Sequence, residues 1–199
     1  MEIIAHRINS VKELKNVPPE FGCEVDLRDK GNRVILQHDP FKDGEDFEEY
    51  LNAYKHGTLI LNIKSERIEP QVLDLVKKYK IKKYFFLDSS FPMIFTLVNQ
   101  GESNIAVRYS EFEMMESVLK MKGKVKWVWV DCFYSLPLDR ISFSKIKEAG
   151  FKICLVSPEL HQRPQDLERY REYLIRERIN IDAVCTKAEA AKQWYTGPH

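Results

Sequence analysis

Apolar, β-rich runs separated by amphipathic segments of helical length are what most constrains the fold of this chain. The runs lie at residues 3–6, 23–27, 34–38, 59–64, 84–88, 105–108, 127–131, 152–156 and 181–185. From residue 59 onward, helix-like segments at 71–80, 92–100, 113–122, 142–150 and 166–178 fall between them, and such alternation is the pattern of parallel βα units. The runs at 23–28 and 34–38 depart from it. Too few residues join them for a parallel crossover, which needs about a dozen or more, so they must pair as a hairpin. Setting one hairpin partner aside leaves the eight strands of a closed (βα)₈ barrel. The expected architecture is therefore α/β: a compact (βα)₈ TIM barrel with a β-hairpin after the second strand, in one domain over residues 1–199. An open doubly wound sheet would give a similar alternation.

Composition narrows the function. The 199 residues suffice for one sizeable core, and no Ser/Gly/Pro-rich linker divides them. Thirty-one basic and thirty acidic side chains leave a formal charge of +1, which argues against nucleic acid or a general polyanion as partner. Met1-Glu2-Ile3 does not open a secretory signal, and no run approaches the roughly 18 apolar residues of a membrane span. The expectation is a soluble, cytoplasmic protein with no stable membrane insertion and a small-molecule substrate; the sequence leaves the oligomeric state unknown. Cys23, Cys132, Cys154 and Cys185 lie far apart in or beside apolar runs, without the spacing of a zinc site, and read as buried, reduced thiols.

Several strand-like runs end on polar residues: His6-Arg7, Asn62 with Lys64, Asp88, Arg108, Asp131, and Ser157 with Glu159 and His161 just beyond. In a (βα)₈ barrel all such ends converge on one face, where the site is built. One terminal Asp or Arg is more often a loop or cap residue, but so many together favour a site. Glu24 and Asp26 are two apart, so on a strand they share a face and are placed to hold a divalent cation. Two histidines, His6 and His38, suit proton transfer near neutral pH. An acid, a base and positive charge are what phosphodiester cleavage needs.

With these residues in view, the chain resembles the glycerophosphodiester phosphodiesterase family, within the wider group of barrels that includes phosphatidylinositol-specific phospholipase C. The family's pattern is His-Arg-Gly on the first strand, Glu-x-Asp on the second, His-Asp after a hairpin and Glu-x-Lys on the next strand. Here these positions read His6-Arg7-Ile8, Glu24-Val25-Asp26, His38-Asp39 and Asn62-Ile63-Lys64. Fainter echoes follow in Ser89-Ser90-Phe91-Pro92 and in Val184-Cys185-Thr186-Lys187. Three departures stand out. Ile8 replaces a glycine and narrows backbone freedom. Asn62 replaces a carboxylate with a neutral oxygen that holds a hard cation less strongly. Lys187 reverses the charge of an aspartate, and the chain is short between His-Asp and the next strand.

The resemblance implies residue roles, each with a plainer alternative. His6 and His38 would be the acid/base pair, or else capped strand-end histidines. Glu24 and Asp26, with Asn62 as a weak third ligand, would bind magnesium or calcium, or else face solvent. Arg7 and Lys64 would supply fixed positive charge to the phosphate and also pair with the carboxylates. Asp131 would restore the carboxylate missing at Asn62, or else cap a helix. Arg108, Asp88, Glu159 and His161 are candidates for the non-reacting part of the substrate. Trp127, Trp129, Phe85 and Phe86 read as core, and 166–178 as a solvated amphipathic helix. The implied activity is hydrolysis of a glycerophosphodiester-like or sugar-linked phosphodiester with one divalent cation. Its alternatives are a phospholipase-C-like lyase that forms a cyclic phosphate and a catalytically weak phosphate-ligand-binding barrel.

Overall fold

A computed structural model describes residues 1–195. Its internal contacts group the chain into two compact units: residues 5–105, and residues 1–4 together with the chain from 106 onward. Strand β1 (Glu2–Ala5) opens the chain, and its Glu2 N–H donates to Asp182 O at 2.8 Å.

The unit of residues 5–105 contains α1 (Val11–Leu14), β2 (Gly22–Lys30), β3 (Arg33–Leu36), β4 (Glu45–Asp46), α2 (Phe47–Ala53), β5 (Leu59–Ile63), α3 (Glu69–Lys78), β6 (Tyr84–Leu87) and α4 (Phe91–Asn99). Its sheet runs β4-β3-β2-β5-β6. The pairs β2–β5 and β5–β6 are parallel, whereas β3 is antiparallel to both β2 and β4. The expected hairpin is thus present and tighter than its sequence suggested. Lys30 pairs with Arg33, which leaves Gly31-Asn32 as the turn. Gly31 has φ +62°, the left-handed conformation that a two-residue hairpin turn asks of its first residue. All five residues of β5 are buried, as in a parallel strand covered on both faces. Parallel register sets Glu24 beside Ile60 and Asp26 beside Asn62. After β3 the chain passes His38 and returns through Gly44, where a Cβ would lie 2.1 Å from Leu36 O. Only glycine fits there without moving the backbone.

The second unit contains β7 (Ala106–Tyr109), α5 (Met115–Leu119), β8 (Trp127–Val130), α6 (Arg140–Glu148), β9 (Lys152–Val156), α7 (Leu167–Arg176), β10 (Ala183–Thr186) and α8 (Ala191–Trp194). Short 3₁₀ turns at Pro158–His161, Pro164–Asp166 and Ala188–Ala190 join some of these elements. The strands pair in parallel in the order β10-β9-β8-β7.

Every strand expected from the sequence is present, and the alternation with helices from β5 onward is that of a mixed α/β fold. The short elements β4, α1, α2 and α8 were not anticipated. β4 is two residues long and exists through its pairing with β3. α2 does carry a signal: Asp46 caps it by accepting from Glu48 N at 2.9 Å, and Phe47, Tyr50 and Leu51 are buried at helical spacing. The alternative role of Asp131 as a helix cap is corrected. Asp139 caps α6, accepting from Ser142 N at 2.7 Å in a reciprocal capping box. Phe85, Phe86, Trp127 and Trp129 are core as expected, and all four cysteines are free and buried. Among the described residues, no helix is long and apolar enough to cross a membrane.

Candidate active site

The site in residues 5–105 is built on two carboxylates that lie wholly out of solvent. Glu24 and Asp26 project from β2 and are 0% exposed. The segment following β1 folds over them. Arg7 adopts φ +54°, and this left-handed turn lets its backbone N–H donate to Glu24 Oε2 at 2.8 Å. Ile8 N–H then donates to Glu24 O at 2.9 Å. The concern attached to Ile8 is therefore displaced by one residue: the conformation that favours glycine falls on Arg7, and Ile8 is a buried apolar residue of the turn. Next in the chain, Asn9 Nδ2 donates to Asp26 Oδ2 at 2.9 Å, while Asn9 Oδ1 accepts from Asp26 N at 2.8 Å.

The functional side chains gather around this pair. His6 Nε2 is 3.8 Å from Glu24 Oε2, and Arg7 Nε is 3.8 Å from Asp26 Oδ2. From β5, Asn62 Nδ2 donates to Glu24 Oε1 at 2.7 Å. Lys64 Nζ stands 3.7 Å from Asp26 Oδ1 and donates to Asp88 Oδ2 at 3.2 Å. Burial pushes the Glu24 carboxyl up to about 7, and the adjacent Asp26 charge adds to this against the hydrogen bonds from Asn62 and Arg7 N.

His38 follows β3 and pairs with its own neighbour in the chain. Its Nδ1 is 2.9 Å from Asp39 Oδ1. Hydrogen bonds from His38 and Lys42 hold the exposed Asp39 carboxyl down at about 2. An ionised carboxylate only accepts, so His38 carries its proton on Nδ1 in this pair and presents Nε2. The backbone of His38 is pinned by Arg28, whose Nε and Nη2 donate to His38 O at 3.0 and 2.8 Å. The same guanidinium donates from Nη1 to Lys64 O at 2.9 Å. One side chain of β2 therefore ties together the ends of the segments that carry His38 and Lys64. Arg28 and Asn9 were not singled out in the sequence. Arg28 had a legible signal, since Glu24, Asp26 and Arg28 follow at two-residue spacing on one face; nothing local marked Asn9.

The remaining candidates lie in the second unit and form two networks. Asp131 Oδ1 accepts from His161 Nε2 at 2.6 Å and from Cys132 N at 3.0 Å. Its Oδ2 is bound by Arg108 Nη1 and by Trp129 Nε1, the latter at 3.3 Å. Both oxygens of Asp131 are thus engaged by this unit's own donors. Phe133 lies against His161 with ring centroids 5.1 Å apart. Glu159 is buried and binds its own scaffold: Ser157 Oγ on one oxygen, and Thr186 Oγ1 at 2.6 Å and Lys187 N at 3.1 Å on the other. Lys187 meets this network through its backbone N–H, while its side chain is exposed.

The fit of a divalent cation can be judged from the donors. Among the described residues, no three His, Cys, Asp or Glu side chains group as metal ligands. Two carboxylates and one amide do come together, and Asp26 Oδ1 and Asn62 Oδ1 are both buried without a hydrogen-bond partner. Oxygen donors of this kind suit magnesium or calcium. Glu24, Asp26 and Asn62 are the residues that would hold the ion.

No family model matches the sequence, and no curated protein matches it. Solved structures do. A glycerophosphodiester phosphodiesterase from Agrobacterium tumefaciens str. C58 superposes over 93% of this chain and 96% of its own, with a TM-score of 0.67 at 12% identity. A glycerophosphoryl diester phosphodiesterase from Parabacteroides distasonis ATCC 8503 covers 96% of this chain and 85% of its own, with a TM-score of 0.66 at 15% identity. A protein assigned as a glycerophosphodiester phosphodiesterase from Galdieria sulphuraria gives a TM-score of 0.69 at 16% identity, over 96% of each chain. At these identities the likeness is one of fold, and the chain has the fold of solved glycerophosphodiester phosphodiesterases.

Proposed function

We propose that this chain is a phosphoric diester hydrolase that cleaves a glycerophosphodiester-like or sugar-linked phosphodiester. The observation that carries this reading is the buried Glu24–Asp26 pair bordered by His6, Arg7 and Lys64. Arg7 and Lys64 bind the phosphoryl oxygens, Arg7 through its fork and Lys64 as a point charge. His38 takes a proton from the attacking water through Nε2, its ring oriented by the ionised Asp39. His6, held beside Glu24, gives a proton to the leaving alcohol oxygen as its bond to phosphorus breaks. The products are a phosphomonoester and a free alcohol. Magnesium or calcium, when bound by Glu24, Asp26 and Asn62, supplies further positive charge to the phosphoryl oxygens.

Release of p-nitrophenol from bis(p-nitrophenyl) phosphate with added magnesium or calcium tests the reading. His6→Ala and His38→Ala are each expected to lower turnover by about a hundredfold or more. Turnover unchanged in both variants would remove the two histidines from the mechanism. A cyclic phosphate product seen by phosphorus NMR would replace hydrolysis with a lyase reaction.

A further inference from the structure

Two oxygens at the site stand open, and one of them is not a carboxylate. Glu24 has both oxygens engaged, Oε1 by Asn62 Nδ2 and Oε2 by Arg7 N. Asp26 Oδ2 accepts from Asn9, leaving Asp26 Oδ1 without a hydrogen bond. Asn62 is 7% exposed and its Oδ1 has no hydrogen-bond partner. Asp26 and Asn62 are register partners on adjacent parallel strands, so their side chains share a face roughly one strand spacing apart. This is a two-oxygen opening for a hard cation, which needs about six or more oxygen ligands in total.

Charge limits what that opening holds by itself. The negative charge of Asp26 already faces two cationic groups, Arg7 and Lys64, at 3.8 and 3.7 Å. A divalent ion entering alone would leave excess positive charge beside buried carboxylates, which is unfavourable. A third carboxylate at position 62 would offset part of that excess; an amide does not. A phosphate group brings both the missing negative charge and the missing oxygens.

We infer that Asn62 makes cation binding at this site conditional on phosphate, so that the divalent ion and the phosphoryl group enter as a pair. The inference rests on the phosphodiester reading for the identity of the anion. By linkage, the cation tightens phosphate binding by the same factor by which phosphate tightens cation binding.

Manganese as a paramagnetic probe, titrated into the full chain with and without inorganic phosphate and followed by the electron paramagnetic resonance of the free ion, tests it. Wild-type protein is expected to bind manganese about tenfold or more tightly when phosphate is present. Asn62→Asp is expected to bind manganese about tenfold more tightly without phosphate, and to show weaker coupling. Thermal melting of both proteins confirms that the variant folds. Binding of manganese to the wild type that is insensitive to phosphate, or absent under both conditions, overturns the inference, as does Asn62→Asp behaving like the wild type. Reporter turnover alongside manganese binding that ignores phosphate would sink this inference while leaving the hydrolase reading standing. Coupled binding of manganese and phosphate without any turnover would do the reverse.

Discussion

Burial and the neighbouring Asp26 keep a proton on Glu24 up to a pH of about 7, against the 4.5 of an unperturbed glutamate. Between these values the folded chain retains a proton that the unfolded chain releases, so stability falls as pH rises through this window. The contribution is full below the lower value and lost above the upper one, and is at most on the order of 3 kcal/mol. In chelator, the urea midpoint of the wild type is therefore expected to drop between about pH 5 and about pH 8, and Glu24→Gln to flatten that drop. Parallel pH profiles for the two proteins would show that Glu24 holds no such proton. The spacing of Glu24 and Asp26 was readable from the period of a strand. That the pair lies fully out of solvent was not, because it depends on the His6–Asn9 segment folding over β2.

At the scale of elements, β2 does most to organise the site. Alternation along one strand presents Glu24, Asp26 and Arg28 to the same side, and Arg28 reaches the carbonyls of both His38 and Lys64. Arg28→Met leaves these carbonyls without their donor, an expected loss of about 2 kcal/mol in stability. Turnover is expected to fall by about tenfold with little change in KM, because a loosened His38 affects proton transfer more than binding. Arg28→Lys should recover only part of this, since an ammonium cannot fork across two carbonyls. Denaturant midpoints and steady-state kinetics read the two effects separately; lowered stability with unchanged kinetics would confine Arg28 to a structural role. The hairpin that brings His38 back toward β2 was legible from its short connection. β4 and α2 were not, since a two-residue strand and a seven-residue helix leave little periodicity to read.

Across the whole molecule, the strands carry Cys23, Cys154 and Cys185 inward, and Cys132 is buried just beyond β8. Burial pushes the Cys23 and Cys132 thiols up to about 12, which leaves almost no thiolate near neutral pH. The native chain is therefore expected to resist a thiol-specific disulfide reagent, while the guanidinium-unfolded chain titrates all four cysteines. Rapid labelling of any cysteine in the native state would contradict the burial described. The succession of strands along the chain, their alternation with helices and the same-face placement of Glu24, Asp26 and Arg28 were set by the sequence alone, because each follows from a local period of apolar residues or a short connection. Tertiary structure decided which polar ends meet: Asn9 on Asp26, Asn62 on Glu24, Arg28 across His38 and Lys64, and Asp131 with Arg108 and His161. Those partnerships join residues distant in the chain, and only strand register and the packing that selects it bring them within hydrogen-bond distance.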